Sequence, residues 1–315
     1  MRTVKLGNEV LNAVGMGFMG LSHAYGAPTE KNKAIETIRA AYDMGYQMFD
    51  TAECYIGTNP DGLTSYNEEL VGTALKDVRD KVFIAAKFGV THTAEGLAMD
   101  SSPQRIRKSV EGSLEKLGTD HIDLKVEPEV VADVMQELIN EGKIRYWGIS
   151  ETTEEYLRRA DKVCHVSAIQ NRYSMMAREH EPIFPVREEL GVTYVTFSTM
   201  ANGFLSSACK PSDQFDNRTD FRAHMPRYTE KGFAKAQELM ELLEKFAEEK
   251  KVTKGQISLA SMICKKPYIL PIPGSRKVER LQENFNAGNV ELSEEEVALI
   301  DQKFDGMDFR TYGKR

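Results

Sequence analysis

The chain has 315 residues, 41% of them hydrophobic and 28% charged, with 23 glycines and 11 prolines, a balance that excludes disordered, collagen-like and disulfide-scaffold proteins. Its formal charge of -7, from 41 basic and 48 acidic side chains, gives no general attraction to nucleic acid or an anionic membrane, so neither is an expected partner. The cysteines at 54, 164, 209 and 264 form no C-x-x-C pair and no run approaches 18 apolar residues, which predicts a cytoplasmic protein without a membrane span.

In chain order, short β-branched or apolar runs alternate with longer amphipathic ones. The opening 3–11 carries Gly7-Asn8 between β-prone runs and predicts a small hairpin. Strands are predicted at 13–16, 47–50, 82–87, 122–126, 146–149, 168–170, 193–197 and 269–272. Helices are predicted over 33–44, 67–76, 103–117, 128–140, 153–160, 181–190, 231–250, 256–265 and 278–287. Ser293 followed by Glu294, Glu295 and Glu296 marks a last helix through Phe304, an N-cap with acids in the first turn. Eight strands with intervening helices, and no linker or composition shift, predict one α/β domain over 1–315: a (β/α)8 TIM barrel with an N-terminal β-hairpin and a C-terminal extra helix.

The βα loops of a parallel barrel open on one face, so strand ends are where chemistry gathers. Asp50 ends the second strand, Tyr55 follows five residues later, and Lys87 ends the third. Together they would make a tyrosine usable as an acid: a phenol ordinarily titrates at about 10, and a nearby ammonium, kept charged by Asp50, is expected to draw it towards neutrality. Spacing alone leaves open that the three are separate, satisfied polar groups.

The segment 271–284 ends a strand, turns at Gly274 and enters a helix beside Arg276, Lys277 and Arg280. Helix N-termini and arginine forks bind anions; a capped helix with a solvated basic turn is the alternative. Gly15, Gly17 and Gly20 after the first strand lack dinucleotide-fold spacing, although they allow a ligand close to the backbone. No histidine or cysteine cluster suggests a metal, and no G-x-S-x-G elbow is present.

These pieces resemble the aldo-keto reductase family over nearly the whole chain. D-T-A-x-x-Y appears at 50–55, N-E-x-x-x-G at 67–72, the family lysine at Lys87, and L-x-x-D-x-[IV]-D-L at 117–124. G-x-S appears at 148–150 and I-P-G-[ST] at 272–275, followed by Glu283-Asn284. The resemblance implies a barrel that binds NADPH/NADP+ and reduces a small aldehyde or ketone, with Asp50, Tyr55 and Lys87 catalytic. It implies that Ser150, Glu151 and Gln170 hold the nicotinamide amide, beside Asp50, and that Phe197 stacks on the ring. Ser198, Met200, Gly203, Gly274 and Ser275 fall at the pyrophosphate and phosphate region, and Gly17, Phe18 and Met19 line the cofactor after the first strand. Arg276 and Arg280 correspond to the 2′-phosphate clamp, and Glu283 and Asn284 to the adenine contacts. Whether the chain forms a homo-oligomer is left open.

One departure stands out. Where the family continues its fourth strand from I-D-L into Y-x-Q-H, this chain reads Ile122-Asp-Leu-Lys-Val-Glu-Pro128 and reaches its next helix about eight residues early, without the histidine. Either the fourth strand is short or distorted, or a loop is omitted from the sequence. The histidine's loss implies depressed turnover, and makes a cofactor-binding barrel with little or no catalysis the alternative function. His23 and Glu127 are weak substitutes for it. An aldolase using Lys87 as a Schiff-base nucleophile is a third reading, one that leaves Tyr55 and the arginines without a role.

Overall fold

The computed structural model describes residues 1–93, 96–127, 132–206 and 215–305. Eight strands run parallel in chain order: β1 (Met16–Gly17), β2 (Met48–Asp50), β3 (Phe83–Lys87), β4 (Ile122–Glu127), β5 (Ile144–Ser150), β6 (Ala168–Arg172), β7 (Thr193–Phe197) and β8 (Ile269–Pro271). The ring closes where Gly15 N donates to Pro271 O at 3.0 Å and Gly17 N to Pro273 O at 3.4 Å. This closure leaves no room for side chains. A Cβ on Gly17 would lie 2.7 Å from Ile272 O, and one on Gly274 would lie 2.4 Å from Gly17 O.

Alternation along each strand sorts residues between two cores. Met48, Phe83, Ala85, Ala168, Val195, Leu270 and Ile272 share the barrel interior with Val4, Leu6 and Leu11. Their neighbours Phe49, Ile84, Ala86, Ile169, Tyr194 and Ile269 turn outward to the helices. Val4 and Leu11 face each other across an antiparallel pair, Thr3–Leu6 with Glu9–Asn12, which turns at Gly7 (φ +56°) against the Tyr146 ring. Thr193 Oγ1 donates to Lys5 O at 2.6 Å. This pair therefore covers the N-terminal mouth and leaves the C-terminal mouth for chemistry.

The outer layer comprises α1 (Lys31–Asp43), α2 (Asn67–Leu75), α3 (Pro103–Leu117), α4 (Ala132–Asn140), α5 (Glu154–Asp161), α6 (Phe184–Leu190), α7 (Glu230–Lys250), α8 (Lys254–Lys265), α9 (Val278–Asn286) and α10 (Glu294–Asp305). Local signals set several ends. Ser102 caps α3, Pro103 begins it and Gly118 (φ +64°) ends it. Thr253 and Gln256 form a reciprocal capping box on α8. Among the described residues no helix is long and apolar enough to cross a membrane.

Two expectations are corrected. The first barrel strand is not 13–16: pairing begins only at Met16↔Phe49, because the chain before it runs along β8 instead. The fourth strand is neither short nor distorted; β4 pairs with β3 from Leu124↔Ala85 to Val126↔Lys87 and with β5 from Ile122↔Ile144 to Glu127↔Ile149. Pro128, where the predicted helix 128–140 begins, lies outside the described residues. After β2 the chain forms a small hairpin in which Ile56–Thr58 pairs with Thr64–Tyr66.

Candidate functional site

Three strand ends meet at the C-terminal mouth. Asp50, 2% exposed, ends β2. From the end of β3, Lys87 Nζ donates to Asp50 Oδ1 at 2.5 Å and to Thr51 O at 2.8 Å. From β6, Gln170 Nε2 donates to Asp50 Oδ2 at 2.8 Å. Both carboxylate oxygens are thus satisfied, as a charge at such depth requires.

Tyr55 follows on the loop after β2, its ring centroid 4.9 Å from Lys87 Nζ. Its carbonyl accepts Ser22 Oγ at 2.9 Å and Asn67 N at 3.1 Å. Asn67, the first residue of α2, also reaches Phe18 O (3.0 Å) and Ser22 Oγ (2.8 Å) through its amide nitrogen and accepts Thr51 Oγ1 (2.7 Å). One buried asparagine therefore ties the β1 and β2 loops together and fixes the backbone that carries Tyr55. Gly72 of the same motif has a packing reason, since a Cβ there would lie 2.3 Å from Leu117 O.

The electrostatics correct a sequence expectation. Burial pushes the Tyr55 phenol well above its ordinary range, and the negative charge of Asp50 acts in the same direction. The Cys54 thiol is also raised, by burial outweighing the pull of Lys87. Tyr55 is therefore held as a neutral phenol, the form that donates a proton.

Around this centre, Ser150 Oγ donates to Gln170 O at 3.0 Å. Glu151 has φ +51°, its amide donates to Gln170 O at 3.1 Å, and its carboxylate accepts Arg172 N at 2.9 Å. Burial alone would raise that carboxyl, but His180, 3.5 Å away, and the Arg172 amide hold it below the usual range. Phe197 packs half-buried on the barrel interior. Beyond it Ser198, Ala201, Asn202 and Gly203 all have positive φ. Non-glycine residues cost on the order of 1–3 kcal/mol each in such conformations, which concentrate at ligand sites.

A cationic end lies across the mouth. Arg276 Nε donates to Gly20 O at 2.5 Å, while its Nη2 is buried without a partner. Burial, and then the neighbouring Arg222 charge, hold this guanidinium below its ordinary pKa. Arg222 pairs with Asp220 at 2.5 Å and lies over the Tyr25 ring at 5.2 Å. Arg280 Nη1 binds Glu283 Oε2 at 2.6 Å, whose other oxygen accepts Thr253 Oγ1 at 2.5 Å. Met200 and that same Glu283 both border Gly255 at the start of α8, and the Ser275 hydroxyl accepts Lys277 N at 3.0 Å. Asn284 is buried on α9. A buried guanidinium nitrogen with no partner, beside a second cation, is the donor set a phosphate satisfies.

The structure thus gathers Asp50, Tyr55, Lys87 and Gln170, and groups Arg280, Glu283 and Met200 near the start of α8. The Phe18 ring is fully buried against Phe49, centroids 5.8 Å apart, and faces the core, so a cofactor would meet this residue through its backbone. Gly17 and Gly274 are explained by barrel closure, with Met19 on the short turn of helix (Met19–Ser22) that follows. Sequence reading missed Asn67 as a hub and Asp220, Arg222 and Tyr25 beside Arg276. Asn67 opens the N-E-x-x-x-G motif, which was the signal for it, whereas no local pattern marks Tyr25, Asp220 or Arg222; the isolated bridge Tyr25↔Asp220 that joins their loops is tertiary.

A model described as the Aldo/keto reductase family matches residues 13–305. The chain is 36% identical to the aldo-keto reductase yakc [NADP(+)] of Schizosaccharomyces pombe, covering 96% of this chain and 91% of that protein. It is 33% identical to the aldo-keto reductase str7 of Strobilurus tenacellus, over 95% and 90%. Its fold is similar to that of the glycerol dehydrogenase AKR11B4 from Gluconobacter oxydans, with a TM-score of 0.84 and 25% identity, covering 97% of this chain and 96% of the other.

Proposed function

The chain belongs to the aldo/keto reductase family, and from that premise we propose that it reduces the carbonyl of a small aldehyde or ketone using NADPH, with Tyr55 as the proton donor. The observation that carries this reading is the desolvated Tyr55 phenol beside the Asp50–Lys87 ion pair. The NADP(+) in the name of the yeast relative supports the cofactor, as does the unpartnered nitrogen of Arg276, which suits a phosphate that NADH lacks. Arg276 and Arg280 would hold that phosphate, Ser150, Glu151 and Gln170 the carboxamide, and Phe197 a ring face. When bound, the reduced nicotinamide supplies the hydride.

The protein's own part is proton chemistry. Tyr55 donates its hydroxyl proton to the carbonyl oxygen as negative charge develops there. The Lys87 ammonium, 4.9 Å from the ring, stabilises the phenolate left behind, and Asp50 holds Lys87 in position. An ammonium bound this way is a poor Schiff-base nucleophile, which disfavours the aldolase reading.

Steady-state reduction of an aldehyde panel with NADPH, comparing wild type with Tyr55→Phe, tests the assignment. The variant should bind NADPH normally and lose on the order of 10²–10⁴ in kcat. Equal turnover would remove Tyr55 from the donor role. Tight NADPH binding by wild type with no turnover on any carbonyl would favour the cofactor-binding barrel.

A further inference from the structure

On the reading of Tyr55 as the proton donor, we propose that Asn67 is a positioning residue whose single buried amide sets the mutual placement of Asp50, Tyr55 and Lys87. Asn67 is 1% exposed, and the two side chains it binds, Ser22 and Thr51, belong to residues 1% and 0% exposed. Each of its three side-chain hydrogen bonds leads, one residue further on, to a different member of that triad.

Asn67 Nδ2 donates to Phe18 O at 3.0 Å, and Phe18 N donates to Asp50 O at 3.0 Å. Nδ2 also donates to Ser22 Oγ at 2.8 Å, which donates in turn to Tyr55 O at 2.9 Å. At the other end of the amide, Oδ1 accepts Thr51 Oγ1 at 2.7 Å, and Thr51 O accepts Lys87 Nζ at 2.8 Å. Carbonyls only accept, so the amide end facing Phe18 O is the nitrogen, and Ser22 gives its hydrogen to Tyr55 O. A flipped amide would set its oxygen against the Phe18 carbonyl, so the network has one polarity.

The backbone adds to this hold. Asn67 N donates to Tyr55 O at 3.1 Å, so that carbonyl takes two donors, and Tyr55 N donates to Ala52 O at 3.2 Å. Both peptide groups flanking the Tyr55 Cα are therefore pinned, and the side-chain torsions place the ring 4.9 Å from Lys87 Nζ. The helix itself gains little. Asparagine is a favoured N-cap, where its side chain accepts from the helix's own amides. Here it stands at the first position of α2, behind an N-cap Tyr66 that makes no side-chain bond. Its amide instead reaches residues 16, 45 and 49 positions away in the chain.

What such a network supplies is precision. Removing one member leaves its partners as buried, unpaired polar groups, so the two loops shift until those groups find new partners. A displacement of about 1 Å at a reacting group costs about a hundredfold in rate. The loss falls on the proton-transfer step, because all three residues act through the Tyr55 phenol.

The test is kcat for NADPH-dependent carbonyl reduction, with NADPH affinity followed by fluorescence and folding by circular dichroism. The variants are Asn67→Asp, Thr51→Val, Thr51→Ser, and Asn67→Asp combined with Tyr55→Phe. Asn67→Asp keeps the acceptor for Thr51 Oγ1 and loses both donors; it should bind NADPH like wild type and lose on the order of a hundredfold in kcat. Thr51→Val should lose about tenfold, the worth of one hydrogen bond, and Thr51→Ser, which keeps the hydroxyl, should stay near wild type. In the Tyr55→Phe background Asn67→Asp should cost almost nothing further, whereas the effects of independent sites multiply. Wild-type kcat in Asn67→Asp, equal rates in the two Thr51 variants, or the full loss repeated in the Tyr55→Phe background would overturn the proposal. If Asn67→Asp does not fold, the Thr51 pair decides alone. Failure of the donor assignment is a separate result, in which Tyr55→Phe by itself retains turnover.

Discussion

The ammonium of Lys87 lies 2.5 Å from Asp50 Oδ1, an ion pair only 14% and 3% exposed at its two side chains. Its geometry makes the pair, rather than either residue, the unit that faces Tyr55. Lys87 faces the Tyr55 ring while bound to a carboxylate that β6 also grips through Gln170.

Breaking that pair should therefore damage stability as well as rate. Lys87→Met leaves a buried carboxylate without its cation and should cost about 3–5 kcal/mol in urea unfolding, with kcat falling on the order of a hundredfold. Asp50→Asn should be milder in stability, because the amide oxygen still accepts from Lys87 while its NH2 opposes the Gln170 donor. A Lys87→Met variant as stable as wild type would mean that water replaces the cation.

Arg276 should govern cofactor choice. Arg276→Met removes the buried, unpartnered nitrogen and should raise KM for NADPH about tenfold to a hundredfold, the worth of a charge-assisted hydrogen bond. KM for NADH should change little. Equal loss with both cofactors would place the side chain elsewhere than at a phosphate.

Asp123 anchors the opposite end of the barrel. It is 0% exposed and accepts Ile84 N at 2.7 Å, Arg79 Nη2 at 2.8 Å and Arg145 Nη1 at 2.9 Å. Asp123→Ala strands these donors and should cost about 3 kcal/mol. Measured at saturating NADPH below the unfolding range, kcat should be unaffected, because the residue lies far from the C-terminal mouth.

Gly274→Ala tests barrel closure. Its Cβ would come within 2.4 Å of Gly17 O, a backbone atom that cannot rotate aside. A loss of about 1–3 kcal/mol is expected from the forced backbone shift, seen as a lower urea midpoint. A wild-type midpoint would show that β1 and β8 separate at no cost.

Burial raises the phenols of Tyr46, Tyr55, Tyr173, Tyr194 and Tyr268 above their ordinary range. A raised folded value means full stability below the unfolded value near 10. Above it the unfolded chain releases protons that the folded chain keeps, so stability falls as pH rises through and beyond about 10. The urea midpoint should be level from pH 7 to about 9 and drop steeply above about 10; a flat profile to about 11 would contradict it.

Local patterning was enough for the fold. Alternation of period two in strands such as Thr193–Phe197, and the caps Ser102, Gly118 and Thr253, act over a few residues and are legible one segment at a time. The motif at 50–55 with Lys87 likewise announced a site, since strand ends of a parallel barrel share one face. What no segment contains is the sign of an interaction between segments. Spacing predicts that an ammonium near Tyr55 draws its phenol down, but only packing shows that Asp50 holds Lys87 and that desolvation raises the phenol. That the Phe18 ring packs onto Phe49 is likewise visible only in the fold. His23 reads only as a weak substitute for the missing histidine, and its contact with Ile56 O and its stacking on the Tyr55 ring are tertiary. Burial and charge pairing are properties of neighbours brought together from distant positions, so the tertiary structure alone decided them.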